Sequence, residues 1–202
     1  MAEIVPPSTF ASWNGNSWNI LGPNSTNNGV NGQVTALAMN GTNQLFVGGS
    51  FSNVDGESIS ANYIASWDGN SWSAGTGTTG TIYAFAINGT SGFFVGGQFP
   101  SANGICTSNV AEVTSIPRTA QQSSIWHPIS GGAGATIFGL ANNGTDVFVG
   151  GYFANVDGGT ISANRIASWN GNSWNFLGSN STNNGVIGEE VAEYVGEFVE
   201  GS

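Results

Sequence analysis

Few side chains in this sequence could carry acid–base or nucleophilic chemistry. His127 is the only histidine and Cys106 the only cysteine. One cysteine forms no internal disulfide, and no Cys-based zinc site can be built from it. A Ser–His–Asp relay would have to use His127, yet no Gly-x-Ser-x-Gly elbow or comparable framework accompanies it. Glycoside hydrolysis needs two carboxylates facing each other across a cleft. Asp55, Glu57, Asp68, Asp146 and Asp157 instead fall in loop and turn stretches, where short acids favour turn geometry. Asn53-Val54-Asp55-Gly56 and Asn155-Val156-Asp157-Gly158 offer oxygen atoms but lack the spaced acids of a calcium loop. No glycine-rich loop followed by lysine is present to cradle a phosphate. The residues therefore predict no catalytic group, no metal and no cofactor, and a protein that is not an enzyme. An enzyme with a site near His127 ranks third, and would need a cleft joining His127 to acids.

Tryptophan is the other conspicuous resource. Trp13, Trp18, Trp67, Trp72, Trp126, Trp169 and Trp174 recur with Asn and Ser nearby. Aromatic rings flanked by amides and hydroxyls suit sugars, which present apolar faces and hydroxyl edges. A Trp that recurs in each repeat is first of all a packing residue between neighbouring sheets. For ligand contact, the second Trp of each pair, after the Asn-Ser turn, is expected to be the exposed one. That reading nominates Trp18, Trp72 and Trp174 as ligand-binding residues.

Charge narrows the partners. Twelve acidic residues stand against Arg118 and Arg165, with no lysine, for a net charge of −10. Nucleic-acid binders gain affinity from cations that neutralise phosphates, so nucleic acid is not expected. An electrostatic hold on anionic membranes fails for the same reason. No apolar run approaches the roughly 20 residues of a membrane-spanning helix, so membrane insertion is not expected. Met1 to Phe10 has no basic stretch followed by an apolar one, so no signal peptide is visible. Five Asn-x-Ser/Thr sites, at Asn24, Asn40, Asn88, Asn143 and Asn180, are about what chance gives in so Asn-, Ser- and Thr-rich a chain, and carry no evidence for secretion. Acidity without lysine fits an extracellular or particle-surface setting only loosely.

The elements that must position these residues come from a repeat. Ile64-Ala65-Ser66-Trp67-Asp68-Gly69-Asn70-Ser71-Trp72 matches the run from Ile166 to Trp174, and Phe10 to Trp18 reads the same way. A degenerate copy begins at Val110-Ala111-Glu112-Val113, with its second tryptophan, Trp126, displaced by an insertion containing Pro117 and Arg118. Between these anchors at 10, 64, 110 and 166 lies a second motif: Leu45-Phe46-Val47-Gly48-Gly49, Phe93-Phe94-Val95-Gly96-Gly97 and Val147-Phe148-Val149-Gly150-Gly151. Each is preceded by an apolar alternating stretch ending in Asn-Gly, at Asn40, Asn88 and Asn143, a strong hairpin signal. Each repeat thus holds four short strands in about 40–50 residues, the size of a propeller blade. A parallel β-helix is the alternative, but its turns are shorter and more uniform. Residues 1–188 form the repeat domain and 189–202 a distinct tail.

The pattern Phe-Val-Gly-Gly-x-Phe followed by Asn-x-Ile-Ala-x-Trp-Asn/Asp-Gly resembles the delta-60/Rax2-like group of kelch-related propeller repeats. The likeness covers residues 10–186. It implies an all-β fold of propeller-like blades, each of four antiparallel strands, in about three and a half repeats. It says little about function, because such propellers host binding, scaffolding and occasional enzymes.

Closure of a ring is left open. Residues 11–30 and 167–186 agree at 18 of 20 positions, and the likeness stops after Val186 apart from Gly32/Gly188. The tail could supply strands to the N-terminal half-blade, the chain could be part of a larger ring, or two chains could share one. In the tail, Val191, Tyr194, Val195, Phe198 and Val199 fall at helical spacing, with glutamates between them. That acidic amphipathic stretch could cover a ring face or sheet edge, dock in a partner's groove, or complete the half-blade as strand. The functional expectation is a non-enzymatic interaction or structural module, surface-displayed and self-associating or bound to a protein partner. Glycan binding through repeated Trp/Asn sites is the alternative.

Overall fold

The computed structural model describes residues 11–21, 29–41, 44–89, 92–114, 124–180 and 183–185. The tail residues Val191, Tyr194, Val195, Phe198 and Val199 lie outside that set, as does Arg118. Among the described residues the structure is all-β apart from one 3₁₀ turn, Asp157–Gly159.

The chain opens with an antiparallel pair, β1 (Ala11–Trp13) and β2 (Trp18–Ile20). The first repeat contains β3 (Gln33–Met39), β4 (Leu45–Ser50), β5 (Asn53–Val54), β6 (Ile59–Ser60), β7 (Ile64–Trp67) and β8 (Trp72–Ser73). The second contains β9 (Ile82–Asn88), β10 (Gly92–Gly97), β11 (Ser101–Ala102), β12 (Ile105–Cys106), β13 (Val110–Thr114) and β14 (Ile125–Pro128). The third contains β15 (Ile137–Asn142), β16 (Val147–Gly151), β17 (Asn155–Val156), β18 (Ile161–Ser162), β19 (Ile166–Trp169) and β20 (Trp174–Phe176). A short pair follows, β21 (Gly178–Asn180) and β22 (Asn183–Asn184).

Each repeat folds into one four-stranded antiparallel sheet, in the orders β3-β4-β7-β8, β9-β10-β13-β14 and β15-β16-β19-β20. Sequence patterning anticipates these four strands but not the small hairpin that every repeat inserts between its second and third. Those hairpins, β5–β6, β11–β12 and β17–β18, turn on Asp55-Gly56, Asn103-Gly104 and Asp157-Gly158. Both residues of each pair lie at positive φ, between 47° and 73°. Asp, Asn and Gly reach that region at least cost, which suits them to the two-residue turn of β11–β12 and to the first half of the four-residue loops of β5–β6 and β17–β18.

The Gly-Gly signature has a different origin at each glycine. A Cβ on Gly49, Gly97 or Gly151 would strike the backbone carbonyl of Gln33, Thr81 or Thr136, on or beside the first strand of the same sheet. The preceding glycine faces the next repeat. A Cβ on Gly96 would stand 2.5 Å from Ile137 Cγ2. Glycine here lets one sheet approach the next.

The second sheet is covered on both faces, by the first sheet and the third, so its strand Gly92–Gly97 reads as a continuous apolar run rather than an alternating one. Val47 and Ala65 join a core with Leu21, Val30, Phe51 and Trp72. Their neighbours Phe46 and Ile64 point the other way, into a core with Ile82, Phe93 and Val95 of the second sheet. Phe94 and Val110 of the second sheet likewise join Ile137, Val147 and Val149 of the third. First strands run side by side across the repeats. Thr35 Oγ1 donates to Ile82 O, and Asn142 Nδ2 donates to Ile87 O at 2.9 Å.

Candidate functional site

The tryptophans come together as cross-strand pairs. Trp13, Trp67 and Trp169 lie directly opposite Trp18, Trp72 and Trp174. Their ring centroids are 5.5, 5.4 and 5.6 Å apart. In the degenerate second repeat, Val113 takes the first position and Trp126 still lands opposite it, so the insertion leaves the register intact.

Burial corrects the expectation that the second Trp of each pair is exposed. Trp72 and Trp174 are each 4% exposed, and Trp126 is 3%. These rings fill the cores beside their own sheets, and Trp174 Nε1 donates to Ser130 O at 2.6 Å. The large apolar area of indole is worth more there than at the surface. Trp18, at 70% exposure in the two-stranded pair, is the one of the three nominated residues that presents its ring to solvent. The first Trp of the later pairs, Trp67 and Trp169, is half-buried.

The acids serve turns, as expected. Asp68 Oδ1 accepts from the backbone N–H groups of Ser71 at 2.7 Å and Asn70 at 2.8 Å. Asn14 and Asn170 hold the equivalent turns with their amide oxygens. Asp157 accepts from Ser130 Oγ and Thr160 Oγ1. Among the described residues no three His, Cys, Asp or Glu side chains gather as a metal site. Cys106 is a free, exposed thiol.

One cleft does join His127 to an acid. It lies between the second and third sheets and encloses about 290 Å³. Asn88, Glu112 and His127 line it from the second sheet, and Asn142, Thr145 and Trp169 from the third repeat. Glu112 and His127 are direct cross-strand partners on β13 and β14. Asn88 Nδ2 donates to Glu112 Oε1 at 3.3 Å. Asn142 Nδ2 lies 3.5 Å from Asn88 Oδ1, which extends the chain of amides across the gap. His127 Nε2 is 2.9 Å from Thr114 Oγ1. Among the described residues that line it, Glu112 is the only acid. A second hollow of about 380 Å³ is lined by Pro100, Ser108, Asn109 and Asn155 with glycine backbone, and among the described residues no titratable side chain lines it.

Of these lining residues, sequence reasoning singled out only His127 in connection with a cleft. The signal that could have found the others is departure from the repeat. By register, Glu112 occupies the position of Ser66 and Ser168, His127 that of Ser73 and Asn175, and Asn142 that of Met39 and Ile87. Scanned against protein-family models the chain matches none, and a search of curated proteins finds no match.

Proposed function

We propose that the protein is a non-enzymatic, self-associating structural module. Its three sheets are read as consecutive blades of a kelch-like propeller of the delta-60/Rax2-like type. A second copy of the chain covers the bare face of the first blade.

The supporting observation is the unequal burial of equivalent residues on the three first strands. Ile82 and Ile137 are fully buried, and Phe85 and Leu140 are half-buried, because each packs on the sheet before it. Their counterparts in the first sheet are Val34, half-buried, and Leu37, 55% exposed. Met39, matching Ile87 by register, is 58% exposed. The internal contact is head-to-tail: the first strand of one sheet covers the Gly-Gly strand of the one before. The third sheet carries Phe148, Gly150 and Ile166 where the first carries Phe46, Gly48 and Ile64. Leu37 and Met39 of one copy are covered by another through a contact of the same head-to-tail kind. Such heterologous contacts close into rings or extend as filaments, according to the rotation between copies.

The test is the solution mass by light scattering of the wild-type chain and of Leu37→Glu/Met39→Glu. The reading predicts a dimer or larger wild type and a folded, monomeric variant. A monomeric wild type at high concentration, or a variant with unchanged mass, overturns it.

A further inference from the structure

The cleft between the second and third sheets is where the repeat is broken. The other repeats show what the fold requires at these positions. Serine suffices at the position of Glu112, Ser or Asn at that of His127, and an apolar side chain at that of Asn142. Two of the departures bring a larger polar side chain, Glu112 and His127, and the third puts the polar Asn142 where the other repeats carry Met or Ile. All three line the same cleft, although they lie on β13, β14 and β15. Departures from a locally consistent pattern that converge on one place in space point to a functional site.

We infer that this cleft binds a single neutral sugar ring, with Trp169 as the platform and Glu112, Asn88 and Asn142 as hydroxyl partners. Trp169 is half-buried and held in orientation by Trp174, 5.6 Å away, so its ring is a fixed apolar wall. A pyranose presents a matching face of C–H groups and a rim of hydroxyls that both donate and accept. Glu112 accepts from a hydroxyl through Oε2, which has no hydrogen bond within the described residues. Asn88 supplies an amide beside Glu112, and Asn142 one from the third sheet, where its Nδ2 donates to Ile87 O and its Oδ1 accepts from Gly144 N–H while keeping a second lone pair. A volume of about 290 Å³ is at the small end of ligand pockets, enough for one ring rather than a chain of them. Among the described lining residues there is no Lys or Arg, and Glu112 faces the cleft, which disfavours an anionic ligand. Among the described lining residues, one acid, Trp169 and the buried Phe94 fall short of the cage of open aromatic faces that quaternary ammonium ions require. This site is separate from the bare face of the first sheet, and each is tested without the other.

The experiment titrates the full chain with glucose, galactose, mannose and N-acetylglucosamine, each to about 100 mM, by saturation-transfer NMR and calorimetry. One stacked ring supports binding in the millimolar range. Choline serves as the cationic probe. Glu112→Ser and Asn142→Ile return the cleft to residues that the other repeats carry, so they preserve the fold. Trp169→Ala removes the platform, and Trp18→Ala removes an exposed ring outside the cleft. At least one sugar is expected to bind saturably. Its affinity should fall about tenfold or more in Glu112→Ser, Asn142→Ile and Trp169→Ala and remain unchanged in Trp18→Ala. The thermal midpoint of Glu112→Ser should equal or exceed wild type, whereas Asn142→Ile gives up the bond to Ile87 O. No binding by any sugar overturns the inference. So does tighter binding of choline, binding lost only in Trp18→Ala, or destabilisation by Glu112→Ser.

Discussion

Gly48 of the first sheet lies directly beneath Ile82 of the second, so close that a Cβ on Gly48 would stand 2.7 Å from Ile82 Cγ2. Gly96 and Ile137 repeat the relationship one sheet further on. The spacing between sheets is thus set by a missing side chain. Gly48→Ala and Gly96→Ala should each destabilise the chain by about 1–3 kcal/mol, the range for overpacking a filled core. Urea unfolding midpoints measure this. Gly69→Ala is the comparison: its φ is +99° with nothing within 4 Å, so it carries backbone strain but no clash.

The turn at Asp68 makes stability depend on pH. Its carboxyl is held below the ordinary value of 3.8, chiefly by the Ser71 backbone N–H and then by that of Asn70. A carboxyl lowered by folding contributes stability that is fully present above its unfolded pKa of about 3.9. That contribution is lost as pH falls through the lower folded value. Asp68→Asn keeps an acceptor, as Asn14 and Asn170 do in the sister turns. The wild type should therefore lose stability relative to Asp68→Asn below about pH 4 and run parallel to it above about pH 5. The site is exposed, so the difference will be small.

Trp174 and Trp126 are equivalent rings with unequal polar satisfaction. Trp174 Nε1 donates to Ser130 O, whereas Trp126 Nε1 is buried without an acceptor. Replacement by Phe shrinks both rings alike. Trp174→Phe should cost more than Trp126→Phe by about 1 kcal/mol, the net worth of the lost bond with its carbonyl left unpaired. Thermal unfolding of the two variants in parallel reads the difference.

Cys106 offers a covalent route to dimers that has nothing to do with the first sheet. Its thiol is exposed and should react with one equivalent of a thiol reagent in the folded protein. Cys106→Ser should change stability by less than about 0.5 kcal/mol, as for most surface substitutions. The mass attributed to Leu37 and Met39 should persist in that variant and under reducing conditions.

The repeat was legible in the sequence because strand signals are local. Asn-Gly pairs, the Phe-Val-Gly-Gly runs and the recurring Ile-Ala-Ser-Trp each depend on backbone preference or on burial of adjacent residues. They announced three sheets of four strands, and the structure contains β3-β4-β7-β8 and its two successors. The displaced Trp126 was also readable, and its pairing with Val113 shows that register follows the strands and not the length of the insertion.

Exposure was not legible, because it belongs to neighbours distant in sequence. Trp18 and Trp174 share the same local motif, Trp-Asn-Gly-Asn-Ser-Trp, yet one is 70% exposed and the other 4%. Only the surrounding sheet decides, since Trp174 has Val147, Val149 and Ala167 to pack with. Leu37 and Leu140 differ for the same reason, one having a sheet beneath it and the other not. The cleft is likewise a tertiary fact. Glu112, His127 and Asn142 each look like isolated lapses in a repeat, and stacking of the second sheet on the third brings them to one place.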